Sequence, residues 1–513
     1  MPTPVFRRLV LLVLLLALLP FNTGAAQEQE EVIIGTTDFP RSLDPASALD
    51  APSWELLSHL YTGLTRQIPG TLSYELALAA DHTISADGLT HTFTIRSDAA
   101  FADGTPITAA IFAESINRVL RLGRDAGTFI AQYIVTVSEG DDNSVQFRLR
   151  APLPDFEALV ALPPFFPQHP GNFPAEDVLP VSETTQVIGN GSYLLESFQA
   201  GQLAILIPSS SAGTPPTARR IVLRQYDQPI ALRRAILAHE IDIAWRGLSL
   251  PDLEAVSRET GITVQEQPNL QVYYLLFHHD QEPFDDPAVR EAFALLINRE
   301  RGAQNGFDGT VTPLYSLIPS QFSAAEVIFP SFNPVNADAV LQEAGYRPRS
   351  RPLNVALYIS SDTYGALMID AAQELARAIE ESKIVDITGI QDDQTATFVR
   401  AVNRGEYLDA IVGWRPPFAS PAAYLIPLAA SGSPIPTGNE SGSAEIDALL
   451  QAAALSADPA ERDSFYRQVQ ALLAEHFTLI PLWQGQDVIA FWDNVSGVLV
   501  EANSWLRYDS LSR

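Results

Sequence analysis

The chain of 513 residues is too long for one hydrophobic core, and its length predicts about three domains. Its net charge of −29 argues against nucleic acid and anionic lipid headgroups as partners, because like charges repel. The sequence contains no cysteine, which excludes disulfides, thiolate metal sites and a cysteine nucleophile.

The first 26 residues have the pattern of a secretory signal. Arg7 and Arg8 precede an apolar run at residues 9–19, and Pro20 and the small residues Gly24 to Ala26 follow it. We expect cleavage after Ala26 and a soluble, exported protein, periplasmic or extracellular, with an uncleaved N-terminal anchor as the alternative. No cysteine stands behind the signal for lipid attachment, and no later stretch reaches the roughly 18 apolar residues of a membrane span.

Strands and helices alternate in the first half of the mature chain, and the order strand, helix, strand predicts an α/β domain with parallel crossover connections. Thr108 is placed to cap a helix whose apolar face carries Phe112, Ile116 and Val119. The glycine-rich sequence IGNGSY at residues 188–193 predicts a tight turn. The predicted strands lie at residues 31–36, 90–96, 144–149, 201–207, 221–224 and 241–245, and the predicted helices lie at 54–64, 108–120 and 231–237.

A strand followed closely by a helix stands at the centre of the chain. Residues 271–277 (QVYYLLF) form an apolar, aromatic-rich run that predicts a buried strand. Asp286 occupies the N-cap position and Pro287 the first position of the helix that follows. Arg299 and Arg301 are expected at the negative end of the dipole of that helix. The abrupt change from strand to helix predicts that the chain crosses between domains here.

The second half continues the alternation of strands and helices and contains no internal repeat. Asp458 and Pro459 open the last long helix, and residues 431–443, rich in Gly, Ser and Pro, predict an exposed loop. The other predicted elements are helices at 337–344 and 366–379 and strands at 353–359, 408–414, 488–492 and 498–500.

The sequence carries no recognisable catalytic constellation. The G-x-S-x-G, H-E-x-x-H and P-loop motifs are all missing. His278 and His279 follow a strand, where neighbouring side chains point to opposite faces, so a shared metal ion is not expected. Asp285 and Asp286 are better explained as a helix cap than as an acid and base pair. We therefore predict a protein that is not an enzyme and that uses no metal or cofactor.

Aromatic and arginine side chains stand instead at the ends of predicted strands. An aromatic wall with a few polar anchors at strand ends is what a small-molecule cleft needs. A role in the core is the alternative for each single aromatic residue. The candidate binding residues are Trp245, Tyr273, Tyr274, Gly413, Trp414 and Arg415.

Segments along nearly the whole mature chain resemble, in the same order, one family of extracellular solute-binding proteins of ABC transporters. The family includes oligopeptide-, dipeptide- and nickel-binding members. The matching segments are SLDP at 42–45, LYTGL at 60–64, residues 89–120 around FADGTP, IGNGSY at 188–193, the central stretch at 271–299, LQEAGY at 341–346, GW at 413–414 and IPLW at 480–483.

This resemblance implies an α/β fold of the periplasmic-binding-protein type, in which two lobes close on a ligand like a Venus flytrap. An additional α+β domain is inserted into the first lobe. The implied ranges are 27–49, 181–274 and 480–513 for lobe I, 50–180 for the inserted domain and 275–479 for lobe III. Hinge crossings are then expected near Leu276 and Leu482.

The resemblance also implies where a ligand is held. Gly413, Trp414 and Arg415 match a strand whose backbone pairs with a bound peptide, and Phe418 ends the matching segment. Peptide-binding members carry an aspartate after that strand to hold the amino terminus of the ligand, but Pro417 stands there in this chain. The loop that matches the opposite wall of the cleft consists of Ala51, Pro52 and Ser53.

The absence of that aspartate affects which solute is expected. A buried ammonium without a carboxylate partner costs several kcal/mol. Arginine grips carboxylates with two parallel hydrogen bonds, so Arg415 favours an anionic or carboxylate-bearing ligand.

The expected function is that of the substrate-binding protein of an ABC importer. It would capture a short peptide or another small organic solute between its lobes and deliver it to a membrane permease. A monomer is expected. Two alternatives stay open: a secreted hydrolase whose acidic residues meet only in the fold, and a ligand sensor that signals without transport.

Overall fold

The structure is a computed structural model that describes residues 31–180, 186–210, 215–432 and 443–513. The predicted signal segment and most of the predicted loop at 431–443 lie outside the described residues. Within those ranges, no helix combines the length and the apolar character that crossing a membrane requires.

The described residues form strands and helices in alternation. The strands are β1 (Glu31–Thr36), β2 (Thr65–Gln67), β3 (Tyr74–Leu76), β4 (Ala79–Ile84), β5 (Thr90–Ile95), β6 (Ile134–Glu139), β7 (Ser144–Leu149), β8 (Tyr193–Gln199), β9 (Leu203–Pro208), β10 (Arg220–Gln225), β11 (Ile243–Trp245), β12 (Ile262–Phe277), β13 (Val311–Pro313), β14 (Leu353–Ile359), β15 (Val385–Asp392), β16 (Asp409–Trp414) and β17 (Leu479–Trp492). The helices are α1 (Ala51–Leu60), α2 (Ala109–Leu122), α3 (Asp125–Ile130), α4 (Phe156–Val160), α5 (Pro229–Leu237), α6 (Leu250–Ser257), α7 (Pro287–Leu296), α8 (Arg299–Arg301), α9 (Pro334–Glu343), α10 (Ser361–Tyr364), α11 (Leu367–Ile379), α12 (Thr395–Asn403), α13 (Ala422–Ala429), α14 (Ala444–Leu455) and α15 (Pro459–Glu475).

One nine-stranded sheet runs through the molecule in the order β16-β12-β17-β11-β1-β10-β9-β8, with β13 paired to β17. Strand β1 is parallel to β10 and β11, and the other neighbours in this sheet are antiparallel. Strands β12 and β17 are 16 and 14 residues long and pair with each other along most of their length. The second half of β12 also pairs with β16, and the second half of β17 also pairs with β11. The two long strands therefore join the two ends of the sheet.

Two large hydrophobic cores lie on either side of this connection. The first contains Ile34 and Leu223 from the sheet together with Phe112 and Phe147 from the inserted segment, so the inserted domain and the first lobe pack as one body. The second core is formed by residues from β12 onward, including Phe293 on α7. A molecule with two cores and two connecting strands is able to bend between them.

The inserted domain is built on an antiparallel sheet in the order β4-β5-β7-β6. Helix α2 covers it and begins where the sequence predicts, because the Thr108 hydroxyl accepts a hydrogen bond from the Ile111 amide at 3.4 Å. Gly123 ends α2 in the left-handed conformation at φ 59°, and α3 follows two residues later.

The helix after the central strand begins as predicted but ends differently. The Asp286 carboxylate accepts a hydrogen bond from the Ala288 amide at 2.9 Å, which caps α7. The expectation that Arg299 and Arg301 stand at the end of this helix is wrong, because Ile297 is extended and ends α7. Arg299 lies in α8, is buried, and donates to the Pro481 carbonyl at 2.7 Å.

Leu276 and Leu482, the expected hinge positions, lie inside the core of the second lobe. The pairing of β12 with β17 is interrupted between Pro268, opposite Gln486, and Val272, opposite Gln484. This interruption separates β12 residues that pack in the first lobe from those that pack in the second. The register irregularity at 268–272 and 484–486 is therefore another candidate for the crossing, and the hinge near Leu276 and Leu482 stays a prediction.

Candidate functional site: the cleft between the lobes

The strand end at Gly413 is covered by aromatic side chains. Gly413 pairs with Tyr273 on β12, and Tyr364 donates to the Gly413 carbonyl at 3.4 Å. A Cβ added at Gly413 would come within 2.8 Å of the Tyr364 ring and 2.7 Å of the Gln271 amide nitrogen. Glycine is therefore the residue that lets Tyr364 lie directly against the backbone.

The two neighbouring tyrosines of β12 point to opposite faces of the sheet, as successive strand residues do. Tyr273 is half-buried, its ring lies 6.0 Å from Tyr364, and burial raises its pKa to about 12. Tyr274 is fully buried, donates to the Leu317 carbonyl at 2.6 Å and belongs to the core. Of the two candidates, the structure places only Tyr273 beside Gly413.

Arg415 reaches from the second lobe to the first. Its guanidinium donates to the Asn503 carbonyl, in the C-terminal segment, at 2.6 Å. The Arg415 side chain is exposed, but nearby protein atoms displace part of its hydration. This partial desolvation lowers the pKa of the guanidinium. The negative charge of Asp487 opposes the shift, and Arg246 adds to it. The cleft thus carries a cation that a negatively charged group would stabilise.

Trp245 has a structural role, and its neighbour Arg246 stands at the cleft. The Trp245 indole is buried and donates to the Glu55 carboxylate at 3.0 Å. Arg246 lies 4.9 Å over the Trp245 ring and donates to the same carboxylate at 2.8 Å. Glu55 also accepts hydrogen bonds from the Leu506 amide and the Tyr508 hydroxyl, so donors of the protein already surround its carboxylate.

The predicted loop at 51–53 is the first turn of α1. Asp50 caps the helix by accepting from the Ser53 amide at 2.9 Å. Ser53 is buried and its hydroxyl accepts from the Arg41 amide at 2.9 Å, and Pro52 is also buried. Ala51 is the member of this group that lines the cleft.

The cleft between α1, α3 and the segment after β16 has a volume of about 570 Å³. It brings the predicted residues Ala51 and Arg415 together, although more than three hundred residues separate them along the chain. The remaining lining residues are Leu49, Trp54, Asp125, Thr128, Phe129, Gln132, Pro416, Pro417, Asn503 and Trp505. A volume of this size is typical of small-molecule sites.

A second space of about 540 Å³ is lined by residues at the end of β11, by α6 and by β17. Trp245, Arg246 and Gly247 of the first lobe face Asp308 and Thr310 of the second across it. Asp487 on β17 also lines it, and burial raises the pKa of that carboxyl. Arg246 and Asp487 were not identified from the sequence, because their significance depends on partners that are distant along the chain.

Two other candidate residues pack against neighbouring segments at the strand end. Trp414 is half-buried and its indole donates to the Ala423 carbonyl at 3.0 Å. Phe418 is 2% exposed and packs in the core of the first lobe, with its ring 5.8 Å from that of Tyr133. The Ser420 hydroxyl donates to Asp155 of the inserted domain. The segment after Arg415 is thus anchored on the inserted domain.

The two adjacent histidines follow β12, and one of them packs in the interior. His279 is buried and its Nε2 lies 2.8 Å from the Thr478 carbonyl. Over the described ranges, no cluster of three or more histidine, aspartate or glutamate side chains is placed to hold a metal ion.

Comparison with families of known proteins matches residues 73–434 to the model described as bacterial extracellular solute-binding proteins, family 5 Middle. The chain is 26% identical over 492 residues to the probable D,D-dipeptide-binding periplasmic protein DdpA of Escherichia coli K12, covering 92% of each chain. It is 26% identical over 508 residues to the periplasmic murein peptide-binding protein MppA of the same strain, covering 91% of this chain and 89% of MppA.

Solved structures share the fold. The unliganded open form of the murein tripeptide-binding protein MppA superposes with a TM-score of 0.81, at 22% identity, over 94% of this chain and 97% of that chain. The dipeptide-binding protein of Pseudoalteromonas sp. SM9913 in complex with Met-Leu gives a TM-score of 0.69, at 21% identity, over 94% and 100%. The predicted two-lobed α/β fold is confirmed.

Proposed function

Because the chain belongs to the bacterial extracellular solute-binding proteins of family 5, we propose that it binds a short peptide or a related carboxylate-bearing solute between its lobes for an ABC importer. Of the relatives, one is named a probable D,D-dipeptide-binding protein and another a murein peptide-binding protein, which supports a peptide-like solute. The observation that carries the proposal is Arg415, a cation at the strand end of one lobe that contacts Asn503 of the other and lines the cleft together with α1.

Binding and closure are linked in this proposal. A solute that contacts Arg415 and the first lobe at once binds the closed arrangement more tightly than the open one. The equilibrium between the two arrangements then shifts by that difference in affinity. The permease distinguishes the loaded protein by its closed shape, and the solute is released without chemical change.

Arg415 and Pro417 together indicate which end of a peptide is recognised. A guanidinium in a partly desolvated cleft forms strong hydrogen bonds with a carboxylate. Pro417 has neither a charge nor an amide hydrogen to offer to a ligand ammonium. We therefore propose that the carboxylate of the solute is its main polar anchor.

Calorimetric titration of the mature chain with the dipeptide Ala-Phe and with its C-terminal amide tests this proposal. Arg415→Ala should weaken binding of Ala-Phe roughly 10- to 100-fold, the usual effect of losing a charged hydrogen bond. The amide should bind wild type weakly and should not respond to the substitution. Native mass spectrometry of protein purified from its host would identify the solute carried in the cell.

Arg404→Ala is the matched control. Arg404 is an exposed arginine of the same lobe that lies 3.5 Å from Glu406, outside the cleft. This variant should bind Ala-Phe as wild type does. Equal affinity of wild type and Arg415→Ala for Ala-Phe would remove Arg415 from the site.

A further inference from the structure

The inserted domain supplies one wall of the cleft that holds Arg415. Thr128 and Phe129 on α3 line this wall, and Arg415, Pro416 and Pro417 line the side that faces it. The space therefore begins at the strand end where the solute is proposed to bind and extends toward the inserted domain.

The wall is aromatic, and part of its apolar surface is open to water. The Trp54 ring lies 6.1 Å from the Phe129 ring and 6.3 Å from the Trp505 ring. Phe129 and Trp505 are half-buried, and Leu49 at the rim is 44% exposed. The Trp54 indole donates to the Ala48 carbonyl at 2.9 Å, so it needs no polar partner from a ligand. Covering such a surface with an apolar group is favourable.

The aromatic wall is held in place by close packing of helices. A Cβ added at Gly127 on α3 would lie 2.3 Å from the Val119 carbonyl on α2. Helix α3 therefore lies directly against α2, and α2 belongs to the core shared with the first lobe. A wall fixed in this way loses little conformational freedom when a ligand covers it.

Charge is distributed unequally across the space. Arg415 stands on the side of the second lobe, whereas Asp125 lies on the side of the inserted domain. A solute residue fits this arrangement when its apolar side chain lies against the aromatic wall and its carboxylate points toward Arg415 and away from Asp125.

We propose that this space is the pocket for a large apolar or aromatic side chain of the solute, adjacent to the carboxylate that Arg415 holds. The proposal rests on the function proposed above and adds the class of side chain. It also gives the inserted domain a role in choosing the solute, through Phe129 and Thr128.

Titration of the mature chain with Ala-Phe and Ala-Ala tests the pocket. Wild type should bind Ala-Phe about 10- to 100-fold more tightly, because the ring covers apolar surface that a methyl group does not reach. Thr128→Trp fills the pocket from an exposed position on α3 and should abolish this preference, because Ala-Phe loses more affinity than Ala-Ala does. Phe129→Ala should reduce the preference.

The matched control is Val135→Trp, which adds an indole to β6 of the same domain at a position that is 50% exposed and outside the cleft. Val135→Trp should keep the wild-type preference. Its melting temperature shows how much an added surface indole by itself changes the stability of the protein. If wild type binds both peptides equally, or if Thr128→Trp keeps the preference, the pocket assignment is wrong while the proposed function stands. If neither peptide binds wild type, the proposed function fails and the pocket assignment fails with it.

Discussion

Asp409 is a buried carboxyl at the start of β16, in the second lobe. It is 2% exposed, and neither carboxylate oxygen has a well-formed hydrogen bond to another described residue. Burial raises the pKa of this carboxyl well above its ordinary value, and the nearby Tyr358 amide opposes the shift only in part. The folded protein therefore favours the protonated carboxyl, whereas the unfolded chain ionises it near pH 4.

This difference predicts a pH dependence of stability. When folding raises the pKa of a carboxyl, the group contributes fully to the free energy of unfolding below its unfolded pKa near pH 4. That contribution is lost as the pH rises toward the raised pKa of the folded state. Asparagine does not ionise, so Asp409→Asn should not lose stability in this way. The unfolding free energy of the variant should therefore rise relative to that of wild type by about 1 kcal/mol or more between pH 4 and pH 8. Urea unfolding at several pH values measures it. Parallel curves for the two proteins would contradict the prediction.

Single residues of the cleft differ in how far the sequence predicts them. Arg415, which lines the cleft, stands in a short motif at a strand end that a local pattern reveals, whereas a ligand contact of Gly413 stays a prediction. Glu55 and Arg246 were missed, although Glu55 joins α1, β11 and the C-terminal segment. Their partners lie about two hundred residues or more away along the chain, and no local pattern reports such a pairing.

At the scale of elements, the turn at 188–193 is fixed by its approach to the end of α1. The Asn190 and Gly191 amides both donate to the Leu60 carbonyl, at 3.1 and 2.9 Å. A Cβ added at Gly189 would lie 1.9 Å from that carbonyl oxygen. Glycine is needed here because two backbone segments touch. The turn also supplies hydrogen-bond donors to a carbonyl that has no partner within the last turn of the helix.

Gly189→Ala is therefore expected to destabilise the first lobe. Backbone must move to admit the methyl group, and overpacking of this kind usually costs about 1–3 kcal/mol. Gly389→Ala is the matched control, since nothing lies within 4 Å of an added Cβ there and its φ is not positive. Thermal unfolding of both variants measures the difference. A Gly189 variant as stable as the Gly389 variant would show that the turn adapts without cost.

The elements also show which boundaries are predictable. Helices with a capping side chain begin where the sequence indicates, as Thr108, Asp286 and Asp458 demonstrate. Strand β12 was predicted only from residue 271, whereas it begins at Ile262. Its first half reads ITVQEQPNL, and its polar residues are paired by β17, a strand more than two hundred residues later. Non-local pairing overrides local polarity in this segment.

At the scale of the whole molecule, two long paired strands join two large hydrophobic cores. The interruption between Pro268 and Val272 separates the first half of β12, which packs in a small cluster with Leu232 and Ala490, from the second half, which packs in the second core. Proline cannot donate to a strand ladder, so the pairing is weakest near this position. We infer bending here rather than near Leu276, which is held by neighbours on β16 and β17 within one core.

Closure is measurable by spin labelling, because the chain has no native cysteine to remove. Ser257 on α6 and Gln304 in the second lobe are both exposed and line a common space between the lobes, so cysteines there report the width of the cleft. Saturation with a peptide that binds should shorten the distance measured by double electron–electron resonance by several ångströms, since the bound solute favours the closed arrangement. Labels at Gln304 and Gln342, both exposed within the second lobe, should show no change. An unchanged distance between Ser257 and Gln304 in fully loaded protein would mean that the solute binds without closure, and that the paired strands at 268–272 and 484–486 do not act as a hinge.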